Sequence, residues 1–244
     1  MTQGQSEVTV DARPEPIQLS PTRTAVIVVD MQNDFATAGG MFERAGIDIS
    51  PIRRAIAPTA RLLASARHAG MKVVYLKMAF RPDLSDSGSP GAPNWIKHLP
   101  LQPGEETTAP DGTPSRILIR DTWNTEIIDE LAPAPGESVI YKHRYSGFFE
   151  TSLDDLLRGS GIDSLIFVGA TTSVCVESTV RDAMFRDYHC LLVEDCMAEP
   201  IGADLPRSNH DASLLVLQVL FGSITDSASL QSVLQQFEPA SIAE

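Results

Sequence analysis

The chain has 244 residues, 43% of them hydrophobic and 21% charged, and 19 basic against 32 acidic side chains leave a formal net charge of −13. That length fits one large domain or two small ones and is ample for a full hydrophobic core, and the composition excludes a disordered or fibrous chain. The acidic balance lacks the basic face a nucleic-acid partner needs, three cysteines are too few and odd in number for a disulfide framework, and no run of about 18 apolar residues offers a membrane span.

Residues 1–18 are polar, lack the basic-then-apolar pattern of a signal peptide, and read as a flexible tail. A cytoplasmic location with reduced thiols is the expectation. Thr24–Asp30 (TAVIVVD) is a β-branched run ending on a carboxylate, a buried strand. Apolar residues at helical spacing over 53–69 predict a helix, with Ser50-Pro51 as start and Gly70 as stop. Strands follow at Lys72–Lys77 and Ser138–Lys142, then a short helix around Leu153–Leu157 headed by Thr151. Ser164–Gly169 is the fourth strand, with a helix over 174–187 behind it, and Cys190–Glu194 is the fifth. Asn209–Leu220 is helical, Ser223–Thr225 is a weak sixth strand, and Ser227–Gln236 is a closing helix.

Strands that are apolar on both faces and alternate with helices imply parallel βαβ units. The prediction is an α/β fold: one three-layer αβα domain over 19–238, with a mostly parallel six-stranded sheet and a C-terminal tail at 239–244. The stretch 80–122, rich in Pro, Gly, Ser and Asp, is too long for a simple connection and reads as a lid or pocket wall inserted in the domain, the alternative being a mobile insertion without a role.

In open α/β sheets, ligands bind beyond the carboxyl ends of the strands. Three polar groups fall there: Asp30 after the first strand, Lys142 ending the third, and Cys175 in the GATTSVC turn after the fourth. They are an acid, a base and a nucleophile. Near a helix start and a lysine, the Cys175 thiol is expected to have a lowered pKa, and the turn's N–H groups are ready oxyanion donors. The plainer alternatives are a buried packing cysteine, a turn-capping aspartate and a solvated lysine. Cys190 and Cys196 read as packing residues. A nucleotide-binding module is disfavoured because neither GxGxxG nor GxxxxGK[ST] occurs.

The segments VIVVDMQNDF, KHRYSGFFETSLDDLLR and VGATTSVCVESTVRD resemble the isochorismatase-like cysteine hydrolases, and the likeness runs from about Arg23 to Leu230. Within that superfamily the ATAGG turn, SPGAPNW and RYSGFF look closest to ureidoacrylate amidohydrolases, with biuret, triuret and N-carbamoylsarcosine hydrolases nearby. The resemblance implies a Rossmann-like topology and a catalytic triad of Asp30, Lys142 and Cys175. It also implies a cis peptide at Ala170–Thr171 and an oxyanion hole from the Thr171 and Cys175 N–H groups. No cofactor is implied. The Asp-x-His zinc motif of the nicotinamidases is missing from LKMAFRPD, so no metal is expected, and the presence of the cysteine points to C–N hydrolysis.

The expected substrate is a small ureide or amide, shaped by Phe35, Met41, Met78, Asn94, Trp95 and Tyr145, with Gln218 donating to a carbonyl. Phe35, Met41 and Met78 stand where ureidoacrylate enzymes are expected to be more polar, which implies a less polar substrate. The SPGAPNW segment is expected to close over it. Lys77, Arg81, Lys97, His98, Lys142 and Arg144 fall in segments that flank the pocket, leaving room for an anionic substrate in an acidic protein. A homo-oligomer, dimer to tetramer, is the expectation from relatives.

Overall fold

The computed structural model describes residues 7–237. Six strands form one sheet: β1 (Thr24–Val29), β2 (Lys72–Met78), β3 (Ser138–Lys142), β4 (Ser164–Ala170), β5 (His189–Ala198) and β6 (Ser223–Thr225). Their order is β6-β5-β4-β1-β2-β3 and every neighbouring pair is parallel. Each crossover therefore needs chain on a face of the sheet. The helices are α1 (Ser50–His68), α2 (Leu153–Gly159), α3 (Glu177–Met184), α4 (Asn209–Leu220) and α5 (Ser227–Leu234). Among the described residues no helix is long and apolar enough to cross a membrane.

The period-two geometry of a strand explains why TAVIVV is apolar throughout. Val26 and Val28 join Ile52, Leu62, Leu63, Leu230 and Leu234 in a core under α1 and α5. Ala25, Ile27 and Val29 join Leu153, Val180 and Leu217 in a second core on the opposite face. Every residue of β1 is buried. β5 runs on to Ala198, past the Glu194 boundary that the sequence suggests. A bulge explains this: Phe167 pairs with Leu192 but Gly169 pairs with Met197.

Part of the presumed N-terminal tail is ordered structure. Residues 1–6 lie outside the described residues, as does the C-terminal segment 239–244. Val8–Val10 and Ile17–Leu19, however, pair antiparallel. The reason is hydrophobic: Val8, Val10 and Leu19 are buried in the core that holds Leu230 and Leu234. Arg13 then exchanges two backbone hydrogen bonds with Ile224 of β6, at 2.8 and 2.9 Å. The sheet's edge strand is covered in this way, a recurrent device against edge-to-edge pairing.

The connection from β2 to β3 carries the insertion. Its later part is tied into the domain: Ile117, Leu118, Ile119, Ile128 and Leu131 are core residues, and Phe80 donates its N–H to the Leu118 carbonyl and accepts the Arg120 N–H. Its outer part holds a short helix, Pro93–His98, and a small hairpin, Glu106–Thr108 with Pro114–Arg116.

Candidate active site

The strand order reverses between β1 and β4, so the crevice at their carboxyl ends is the topological switch point. Gly169 sets the separation there. Its φ is +117°, and a Cβ on it would stand 2.1 Å from the Val29 carbonyl oxygen. The close approach brings the turn after β4 against the residue after β1, which is Asp30.

Asp30 has a φ of +49°, in the left-handed region that Asp tolerates better than most residues. Its N–H still bonds to the Leu76 carbonyl at 3.0 Å. Oδ1 accepts the Met78 N–H at 2.9 Å. Oδ2 faces the Lys142 ammonium at 2.8 Å, in a pair that is 0% and 1% exposed. The ammonium also donates to the Arg144 carbonyl (3.3 Å) and touches the Met78 sulfur (3.8 Å). Oδ2 is left without an aligned hydrogen-bond donor, and the Cys175 thiol lies within hydrogen-bonding reach of both partners.

Burial governs the protonation of this trio. It pushes the Asp30 carboxyl up, against the pull of Lys142, Cys175 and the Met78 N–H. It presses Lys142 down, but the Asp30 and Cys175 charges more than offset that and hold the ammonium charged. Burial also pushes the Cys175 thiol well up despite Lys142 beside it. The lowered thiol pKa expected from a helix start and a lysine is thus overturned, because desolvation outweighs both. The resting thiol keeps its proton and sits next to a carboxylate able to take it.

Cys175 lies in a turn of π geometry, Thr172–Val176, that runs directly into α3. The peptide Ala170–Thr171 is cis. The Thr171 carbonyl accepts from Val174 N–H (3.2 Å) and Val176 N–H (3.1 Å), flanking the Cys175 amide. Glu199, at the end of β5 and only 3% exposed, accepts from the Ser173 N–H and hydroxyl at 3.0 and 2.6 Å. The His210 Nδ1 meets the Thr172 hydroxyl at 2.9 Å. Thr179 bonds the Cys175 carbonyl at 2.6 Å and accepts the Gly147 N–H at 3.0 Å. The turn that carries Cys175 is therefore braced from β5, α4 and the loop after β3.

DMQNDF does more than supply Asp30. The Gln32 amide makes two 2.9 Å bonds to the Met78 backbone. Asn33 donates to the Trp123 carbonyl at 2.8 Å. Asp34 accepts from Met41 N–H (3.0 Å), Leu118 N–H (2.7 Å) and the Asn124 amide, and burial pushes its carboxyl up to about 6. These residues pin the insertion and the strand ends around the trio. The sequence signal for them was the density of polar residues in an otherwise buried segment.

The other site expectations divide. Met78 is beside the trio. Tyr145 is too, since the Cys175 and Lys142 charges act on its hydroxyl. Asn94 and Trp95 lie half-buried on the helix Pro93–His98, whose last residue stacks on Tyr145 at 5.4 Å. The Asn94 amide is spent on the Ser87 carbonyl at 2.7 Å. Phe35 and Met41 are core residues, Phe35 edge-on to Phe42 at 4.8 Å. Of the flanking cations, Lys77 lies over the Tyr141 ring and Lys97 is exposed.

Gln218 is corrected. α4 begins near Thr172 and runs back along the sheet. Gln218 therefore lines a cavity of about 730 Å³ at the amino ends of the strands, with Gln18, Ser164 and His189. A crossover helix must run antiparallel to its strands, which places its last turn at the wrong end for the trio. Cys190 lines that same cavity, and Cys196 is buried within β5. Among the described residues no three His, Cys, Asp or Glu side chains gather as metal ligands would.

Comparison with known proteins agrees with this architecture. Residues 24–229 match the isochorismatase domain model. The ureidoacrylate amidohydrolase RutB of Agrobacterium fabrum is 40% identical over 232 residues, 95% of this chain and 99% of the relative. The RutB of Variovorax paradoxus is 40% identical over 229 residues, 94% of this chain and 87% of the relative. Among solved structures, a cysteine hydrolase from Pseudomonas syringae superposes with a TM-score of 0.73 at 30% identity, over 89% of this chain and 94% of its own. The N-carbamoylsarcosine amidase of Thermoplasma acidophilum gives 0.61 at 26% identity, over 84% and 96%. The chain belongs to the isochorismatase family, as one of its cysteine hydrolases.

Proposed function

We propose that this protein is an amidohydrolase that cleaves the terminal C–N bond of a ureido or carbamoyl group, with a ureidoacrylate-like molecule as substrate. The observation that carries this reading is the buried Asp30–Lys142 ion pair, 2.8 Å apart, against the Cys175 thiol. The identity to ureidoacrylate amidohydrolases over nearly the whole chain supports the substrate class, and the likeness to an N-carbamoylsarcosine amidase supports a carbamoyl carbon as the point of attack.

In this scheme Asp30 Oδ2 takes the Cys175 proton as the sulfur attacks the carbonyl carbon. Lys142 stays charged and fixes the carboxylate. The Thr171 and Cys175 N–H groups receive the oxyanion, a role worth about 3–4 kcal/mol where a single such donor is removed. Asp30 returns the proton to the departing nitrogen, which leaves as ammonia, and a thioester-type intermediate remains on Cys175. Asp30 then activates water, which releases a carbamate or acid and restores the thiol. The outer part of the insertion, around SPGAPNW, forms the closing wall.

A second reading is an amidase for a less polar amide. The Met78 sulfur, 3.8 Å from the Lys142 ammonium, lines the site with an apolar group. Biuret, triuret and N-carbamoyl amino acids complete the candidates. An ammonia-release panel over ureidoacrylate, biuret, N-carbamoyl amino acids and simple amides separates them. The expected result is highest kcat/KM on a ureide, and a tenfold preference for a simple amide would reverse the choice.

A further inference from the structure

Resting on the ureide reading above, we propose that His98 is a specificity-determining residue: its Nε2 lone pair accepts the substrate's ureido N–H and so selects ureides over simple carboxamides. His98 ends the helix Pro93–His98 and is only 3% exposed. Its Nδ1 lies 2.7 Å from the Asn94 carbonyl oxygen. A carbonyl oxygen only accepts, so Nδ1 carries the proton and the tautomer is fixed. In a neutral ring Nε2 is then an acceptor, and no described residue donates to it.

The ring's place in the site follows from its neighbours. One face stacks on Tyr145 (5.4 Å, 29°), and Phe80 meets it edge-on (5.5 Å, 85°). Tyr145 follows Arg144, whose carbonyl holds the Lys142 ammonium, and Phe80 lies two residues beyond Met78, whose sulfur touches the same ammonium. His98 is thus wedged between the two segments that grip Lys142. Burial, and the Lys142 and Arg144 charges against the pull of the Asn94 carbonyl, keep the ring neutral. An acceptor with no partner among the described residues, on a ring only 3% exposed and fixed at the mouth of an amidohydrolase site, fits a ligand N–H. The nitrogen bridging a ureido group supplies one, and the methylene of a simple carboxamide does not.

The test compares ureidoacrylate with its carbon isostere, in which a methylene replaces the bridging N–H. His98→Phe keeps the stack and removes both nitrogens. His98→Asn keeps a donor for the Asn94 carbonyl and removes the acceptor. His98→Gln places an oxygen near the Nε2 position. Loss of one buried hydrogen bond changes discrimination by about 10- to 100-fold. The ureide-to-isostere ratio of kcat/KM is expected to fall by at least about tenfold in His98→Phe and His98→Asn, chiefly through KM for the ureide, and to recover in His98→Gln. One folded variant of the first two suffices to read the ratio. An unchanged ratio, including equal losses on both compounds, would overturn the proposal and leave a purely structural histidine. If the parent enzyme turns over neither compound, the ureide reading itself falls, and this assignment with it.

Discussion

Lys142→Met keeps the apolar stem of the lysine and removes its charge, which isolates what the ammonium does. Both members of the pair are buried to within 1% of full occlusion, so the variant leaves a largely desolvated carboxylate without its counter-charge. Breaking a buried pair from one side costs about 3–5 kcal/mol. For a domain of this size each kcal/mol moves the melting temperature by about 2–4 °C, so the expected drop is about 6–20 °C. The sign with pH follows from Asp30. Its carboxyl is already pushed above the ordinary value of 3.8 by burial, and without Lys142 it rises further. Between the unfolded and folded pKa values the folded variant holds a proton that the unfolded chain has released. Stability therefore falls as pH rises through that window, and the deficit against the parent widens once pH passes the parent's own raised Asp30 pKa, where the parent stops losing stability and the variant does not. Asp30→Asn/Lys142→Met, which removes both charges, is expected to recover much of the loss. Thermal and denaturant unfolding across pH measure all three proteins. A deficit under about 1 kcal/mol, or one that stays constant from acid to neutral pH, would rule out this role for the ammonium.

Two further outcomes follow from the geometry. Asp34→Asn sets an amide N–H₂ against one of the donors that Asp34 now accepts, and unfolding should show a loss of about 1–3 kcal/mol. The parent Asp34 titrates at about 6 when folded. Its contribution therefore diminishes as pH rises from 3.8 through 6, and the variant's stability curve should be flatter across that window. Gln218→Ala should leave kcat/KM within about twofold of the parent, because that side chain lies at the amino ends of the strands. A tenfold loss would return Gln218 to the catalytic end.

The fold was legible because its signal is repeated. Each buried strand announces itself by an unbroken apolar run, and the gaps between runs carry helical periodicity, so a parallel sheet is the consistent solution. The carboxyl-end rule then gathered Asp30, Lys142 and Cys175 from three separate segments. What the residues alone did not convey was environment. The thiol pKa turned on burial, which no local pattern encodes. Gln218 failed because a place on the last long helix does not say which end of the sheet that part of a crossover helix reaches. Val8–Val10 and Ile17–Leu19 are too short for periodicity to register, and they are ordered only because the far end of the chain, at Leu230 and Leu234, offers them a core. His98 and Glu199 are single polar residues at the ends of a short helix and a strand, and their significance lies in partners 47 and 26 residues away.

The central claim is that Cys175 is the nucleophile and carries the acyl group between two half-reactions. Rapid acid quench during turnover of ureidoacrylate, followed by mass spectrometry of the peptides, reads it directly. A transient adduct is expected on the peptide bearing Cys175 and absent from those bearing Cys190 and Cys196, with loss of turnover in a folded Cys175→Ala protein. Undiminished hydrolysis by Cys175→Ala, or an adduct on another cysteine, would contradict it.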